Sequence, residues 1–255
     1  MTVTKRFVSL FDIHHPMVDW PTLHAAFDFL KRERVDGIIF GGDNLDCGAI
    51  SHHTKGKPLL RPRGQMKHDL DSFNRKVLTP AEKLLKPGAL KVWLTGNHED
   101  WASQLIEEQP ELEGLLDFPV YLNLHERGWV VKPQGGAFKF GHLKWIHGDV
   151  LSGNGISACV RALNTYVESI AFGHFHTGAS ATKVLPLDHS QKGKWQAWAM
   201  GCVGKLDHAY LKKAPTGWLN QIAITEFYGD GMFNHYPVTV IKGRFAYGGK
   251  VYGRV

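Results

Sequence analysis

Five short apolar runs of this chain each stop at a side chain able to bind a metal ion, and that repetition limits the fold more than any other feature. Gly37-Ile38-Ile39-Phe40 passes through Gly41-Gly42 into Asp43, and Phe7 to Phe11 runs into Asp12 and His14. Val92 to Thr95 leads to Asn97 and His98, Leu143 to Ile146 to His147, and Ile170 to Phe172 to His174 and His176. Apolar runs of this length bounded by glycine read as buried strands, and an acid or imidazole just past the end is not core. Ligands of open α/β sheets sit outside the carboxyl ends of the strands, so five such ends describe one shared site.

The intervening segments predict the rest of the fold. Leu23, Ala26, Phe27 and Leu30 recur at helical spacing after Thr22, a candidate N-cap, so strand, helix and strand form a parallel crossover pair. A helix presenting Leu70, Phe73 and Val77 is expected to break at Pro80 and resume from Leu84 to Lys86; Trp101 to Leu116 and Ile156 to Tyr166 are also expected to be helical. Alternation at 129–131, 137–140 and 143–146 predicts a hairpin sheet, and from about residue 179 the chain reads as antiparallel strands, including Trp195 to Met200, Gln221 to Phe227 and Pro237 to Ile241. The expected class is α/β (α+β): a two-sheet β-sandwich of mixed strands flanked by helices. At 255 residues and 43% hydrophobic, the chain suits one domain over 1–255, with a β-rich C-terminal segment, 205–255. Its aromatic, glycine-rich tail, Phe245 to Tyr252, is read as either an edge strand or an arm for oligomerisation.

An apolar run of about 18 residues is lacking and the N-terminus carries no long apolar leader, so no membrane association and a cytoplasmic location are expected. Cys47, Cys159 and Cys202 are odd in number and without C-x-x-C spacing, which indicates neither a disulfide framework nor a zinc knuckle. A formal charge of +6 favours polyanionic partners, nucleic acid among them. Residues 47–68 concentrate Lys55, Lys57, Arg61, Arg63 and Lys67 without an acid, among glycines and prolines, and read as a basic loop beside Asp43.

In chain order the candidate ligands are Asp12, His14, Asp43, Asn97, His147, His174 and His176. Mixed imidazole and carboxylate donors suit zinc, manganese, iron or nickel better than calcium or magnesium. Seven ligands exceed one tetrahedral ion and suit two divalent ions that share a carboxylate, for which Asp43 is the natural bridge.

These residues resemble the calcineurin-like metallophosphoesterases. The five blocks of that superfamily, D-x-H, G-D-x-x-D, G-N-H-[DE], a lone H before glycine and G-H-x-H, match Asp12-Ile13-His14, Gly42-Asp43-Asn44-Leu45-Asp46, Gly96-Asn97-His98-Glu99, His147-Gly148 and Gly173-His174-Phe175-His176. The resemblance implies that Asp12, His14, Asp43 and His176 hold one ion and that Asp43, Asn97, His147 and His174 hold the other. It implies that His98 faces the substrate as cation or proton donor, oriented by Asp46, while a hydroxide generated between the ions attacks phosphorus in line. His15, His52, His53, His68, His125 and His142 match no block and are read as structural or surface residues.

The G-H-x-H block is similar to the phosphodiesterase and nuclease branches, and Cys47 stands where protein phosphatases carry an arginine. The expected activity is therefore dimetal-dependent phosphoester hydrolysis, most simply of nucleic acid or nucleotide diesters, with manganese the leading metal. Arg61 and Arg63 would neutralise phosphates flanking the scissile one. A phosphomonoesterase is the alternative, and a non-catalytic metal-binding scaffold a more distant one.

Overall fold

The crossover strands form where the apolar runs lie. The computed structural model describes residues 2–51, 66–114, 116–184, 194–207 and 216–253. Strands β1 (Lys5–Leu10), β2 (Gly37–Gly41), β3 (Leu90–Leu94) and β4 (Trp129–Lys132) run parallel, side by side. A second sheet takes β5 (Phe138–Phe140), β6 (Leu143–Ile146), β7 (Ser169–Phe172), β8 (Ala179–Val184) and β9 (Lys194–Ala199) in the order β5-β6-β7-β9-β8. The chain then returns: β10 (Gln221–Phe227) pairs antiparallel with β1 and is followed by β11 (Phe233–Thr239), while β12 (Phe245–Tyr247) and β13 (Lys250–Tyr252) make a separate hairpin.

Side-chain alternation sorts these strands into layers. Phe7, Ile39, Val92 and Leu94 point from the first sheet to Leu143, Trp145 and Ala171 of the second, and the two sheets close over this common core. The opposite face of the first sheet, Val8, Leu10, Ile38, Phe40 and Trp93, is covered by helices. Ile146, Ile170 and Phe172 on the outer face of the second sheet are covered in turn by Ala158, Cys159, Ala162 and Leu163. At about 1.5–3 kcal/mol for each fully buried large apolar side chain, this burial locks the register and with it the strand ends.

Helix α1 (Trp20–Glu33) is capped by Asp19, whose Oδ1 accepts from the Thr22 backbone N–H at 2.9 Å; Thr22, expected as the cap, lies inside the first turn. α2 (Met66–Phe73) runs through a π-helical turn, Asn74–Leu78, into α3 (Thr79–Leu84). Pro80 therefore does not interrupt the helix: the wider turn ahead of it, closed by Thr79 N–H to Asn74 O, leaves room for a ring that cannot donate. Of the stretch expected as a basic loop, 52–65 lie outside the described residues and 66–68 belong to α2, where Lys67 is paired with Asp71 at 2.7 Å.

α4 (Asn97–Glu108) starts earlier and ends earlier than the spacing predicts. After the single turn α5 (Phe118–Tyr121), β4 joins β3 in the first sheet, so only β5 and β6 make the expected hairpin. α6 (Gly155–Tyr166) is closed by a capping box in which Asn154 Oδ1 accepts from Ser157 N (3.1 Å) and Ser157 Oγ from Asn154 N (2.8 Å). The tail is not an edge strand of either large sheet: the β12–β13 hairpin folds onto α1, with Phe245 and Tyr252 buried against Phe29. Among the described residues no helix is long and apolar enough to cross a membrane.

Candidate metal centre

At the ends of the parallel strands the backbone turns left-handed. Asp12 (φ 52°), His14 (49°), Asp43 (49°), His174 (70°) and His176 (57°) all adopt positive φ, a conformation that costs a non-glycine residue free energy and clusters at functional sites. The consequence is geometric: residues two apart already share a face of an extended strand, and the left-handed turns bend Asp12 with His14, and His174 with His176, towards one place. Two glycines make room. A Cβ on Gly96 would collide with the Asp43 carboxylate, and one on Gly173 with that of Asp12.

Two clusters result. In the first, His14 Nε2 and His176 Nε2 are 3.1 Å apart and Asp12 Oδ1 is 3.4 Å from His176 Nε2. In the second, His147 Nε2 lies 3.2 Å from Asp43 Oδ2 and 3.1 Å from Asn97 Oδ1, which is itself 3.0 Å from His174 Nδ1. Asp43 Oδ2 is also 3.9 Å from His14 Nε2, so the carboxylate stands between the clusters. All seven candidate ligands are thus brought together, and Asp12, His14, Asp43, His147 and His176 are buried.

His98 lies beside both clusters, on the first turn of α4, with Nε2 3.8 Å from Asp43 Oδ2 and its ring edge-on to His14 at 4.6 Å. Its ring rests against Trp101, centroids 4.1 Å apart. The Nδ1 proton goes to the main-chain carbonyl of Asp46 at 2.7 Å. Asp46, expected to orient His98, meets it through this carbonyl, while its carboxylate Oδ1 is 3.9 Å from His98 Nδ1 and 3.4 Å from His14 Nδ1. Sequence reasoning gave no role to Glu99, whose carboxylate accepts four backbone N–H groups, those of Gly96, Asp43, Asn44 and Leu45, at 2.6–3.0 Å. Its place in the G-N-H-[DE] block was the available signal.

Electrostatics bind the clusters together. Burial disfavours the charge on Asp12, yet the facing His176 and His147 hold its carboxyl below the usual range. Burial likewise opposes ionisation of Asp43, and His147, His98 and His14 outweigh it, leaving that carboxyl well below its ordinary value. For His147 burial acts downward, but Asp43 and Asp12 push its pKa up to about 10. Burial lowers His14 and His174. Burial, with Asp43 adjacent, raises Glu99 to about 7 against the backbone donors that favour its anion.

This donor set fits a pair of divalent cations. His147 donates its Nδ1 proton to the Gly41 carbonyl (3.0 Å), and its Nε2 faces two oxygen acceptors, Asp43 Oδ2 and Asn97 Oδ1. Two further imidazole nitrogens, of His14 and His176, face one another. Nitrogen and oxygen donors gathered at these spacings are of the kind that hold divalent cations.

Arg61 and Arg63, with His52 and His53, lie outside the described residues. His15 is buried behind the Asp12 turn, edge-on to Phe73 and Trp20. The family model described as calcineurin-like phosphoesterase matches residues 12–178. No curated protein matches the chain significantly. Among solved structures, the chain is similar to a metallophosphoesterase from Sphaerobacter thermophilus (18% identity, 91% of this chain and 88% of that one, TM-score 0.42). It is also similar to a single mutant of Vps29 from Entamoeba histolytica (12%, 96% and 95%, TM-score 0.43). A third is a conserved protein of Streptococcus pneumoniae described as a predicted phosphoesterase (11%, 100% and 99%, TM-score 0.41). The family match carries the weight, and it spans every residue of the two clusters.

Proposed function

Since this chain belongs to the calcineurin-like phosphoesterase family and is a metal-dependent phosphoester hydrolase, we propose that it cleaves phosphodiesters of nucleic acids or nucleotides with two divalent ions, manganese first among them. Asp12, His14, Asp43 and His176 would hold one ion, and Asp43, Asn97, His147 and His174 the other. When bound, such a pair lowers the pKa of water towards neutrality and offsets charge on the phosphoryl oxygens. The observation that carries the reading is the convergence of His147, His98 and His14 on Asp43 Oδ2, at 3.2, 3.8 and 3.9 Å.

The remaining work falls to the chain. His98, its Nδ1 proton committed to Asp46 O, presents Nε2 beside Asp43, within reach of a phosphoryl oxygen or a departing alkoxide. Trp101 covers one face of the His98 ring and limits its rotation. The left-handed turns at Asp12, Asp43 and His174 hold the donors before substrate arrives, so little reorganisation is needed at the moment of reaction. The preference for diesters rests on Arg61 and Arg63, which follow Asp43 closely in sequence and suit the flanking phosphates of a polymer. We take 1–255 as one catalytic unit, because β10 pairs with β1, the strand that leads to Asp12. The described cysteines are free and buried, which suits a reducing compartment such as the cytoplasm.

The deciding experiment compares bis-p-nitrophenyl phosphate with p-nitrophenyl phosphate in manganese. A higher kcat/KM on the diester is expected. Preference for the monoester would replace the diester reading with a phosphomonoesterase.

A further inference from the structure

We infer that Glu99 is a positioning residue that locks the Asp43 turn to the start of α4, so that both ion sites depend on a side chain that would itself bind neither ion. This inference rests on the dimetal reading above. Oε2 of Glu99 accepts from Asp43 N (3.0 Å) and Gly96 N (2.8 Å), and Oε1 from Asn44 N (2.6 Å) and Leu45 N (2.9 Å). Two turns, one following β2 and one following β3, are thereby tied through a single carboxylate only 3% exposed. The tie is reciprocal: His98 N donates to Asp43 Oδ1 at 2.9 Å, and Asn44 Nδ2 to Leu94 O at 3.2 Å.

The chemistry of the clamp needs a carboxylate. An ionised Glu offers about four lone-pair sites and no proton, which matches four converging N–H groups. Gln, nearly the same in shape, keeps one acceptor oxygen and aims an NH2 at the other donors, leaving buried N–H groups unpaired. Asp keeps the charge but stops one C–C bond, about 1.5 Å, short. What the clamp fixes is the distance between Asp43, shared by both clusters, and the Asn97-His98 turn, which supplies one donor and the substrate-facing imidazole. Groups that orient metal ligands in this way cost roughly 10–100-fold in affinity or activity when altered.

A loss of folding stability alone must be separated from a loss of positioning. Glu82 provides the control. It anchors Arg127 (2.6 Å) and Trp129 Nε1 (2.6 Å), neither of them a candidate metal donor, so Glu82→Gln removes a part-buried carboxylate from a hydrogen-bond network that involves none of the metal donors.

The test uses the full chain with manganese in wild type, Glu99→Gln and Glu82→Gln. It reads manganese affinity and stoichiometry by calorimetry, the exchange-coupled EPR signal of a manganese pair, and kcat and KM on bis-p-nitrophenyl phosphate. For Glu99→Gln we expect both affinities roughly ten-fold or more weaker, the coupled signal lost or altered, and kcat at saturating manganese down roughly 10–100-fold with little change in KM. For Glu82→Gln we expect a lower melting temperature and wild-type values in the rest. Wild-type affinity, EPR signal and kcat in Glu99→Gln would overturn the inference alone, as would equal losses in Glu82→Gln. A wild-type chain that binds no manganese pair would overturn the dimetal reading and this inference together. Should Glu99→Gln not fold, Glu99→Asp is read against the same outcomes.

Discussion

Asp46 serves two histidines through two different groups. Its carboxylate approaches His14 Nδ1 (3.4 Å) and its main-chain oxygen takes the proton of His98 Nδ1 (2.7 Å). Asp46→Asn leaves the carbonyl in place, so His98 should stay oriented while the ion held through His14 binds roughly 10–100-fold more weakly. Manganese titration checks this, and unchanged affinity with a fall in kcat would mean that the carboxylate serves His98 after all. His98→Ala should show the converse, retaining both ions and losing roughly 100- to 10,000-fold in kcat. Asp43→Ala, which removes the carboxylate between the clusters, should bind neither ion tightly by the same titration. The convergence of the seven candidate ligands was legible in the sequence because each follows an apolar run. The roles of Asp46 O and Glu99 were not, since both act through main-chain hydrogen bonds that form only once turns more than 40 residues apart are brought together.

Helices and strands were legible where their own period decides them and obscure where a partner does. α6 and β10 follow the pattern closely. β4 reads as hairpin material, yet it lies parallel to β3, because Trp129 finds its place in the core beneath Phe40 (5.0 Å). The tail shows the same dependence. Three-residue strands carry too little alternation to name a partner, and the partner is the aromatic face of α1. There Tyr252 packs on Phe29 (4.8 Å), lies under the Arg32 guanidinium (4.4 Å) and donates its hydroxyl to Glu33 Oε1 (2.6 Å). With the ring almost fully buried, Tyr252→Ala should destabilise by about 3–5 kcal/mol, as for other large aromatic truncations. Tyr252→Phe, which removes one hydrogen bond, should cost about 1 kcal/mol. Urea unfolding of the two variants measures the difference, and equal small losses would show that the hairpin contributes little to α1.

Across the whole molecule the chain closes on itself, for the family match ends at residue 178 while β10, from 221 to 227, completes the sheet beside β1. The sequence reveals the antiparallel character of that segment but not its destination, because Ile222 and Ile224 would suit either outer face and only burial against α1 and β1 selects one. The return also buries His235 on β11. Its Nδ1 is 2.8 Å from Thr225 Oγ1, its ring lies 4.8 Å from Trp198, and Nε2 finds no hydrogen-bond partner among the described residues. Burial drives this imidazole down to about 3. In the unfolded chain it titrates near 6.5, so between these values the unfolded state holds the extra proton and folding stability falls as pH falls. One proton is worth about 1.36 kcal/mol per pH unit, which puts the loss from this residue at about 2 kcal/mol between pH 6.5 and 5. His235→Gln keeps a partner for Thr225 and cannot titrate. Metal-free wild type and variant share the acid response of Asp12 and Asp43, so the difference between their urea midpoints should shrink or reverse steadily as pH drops through that window. Parallel midpoints from pH 6.5 to 4 would mean that His235 takes up its proton in the folded state, and that the seam between β10 and β11 is open to water.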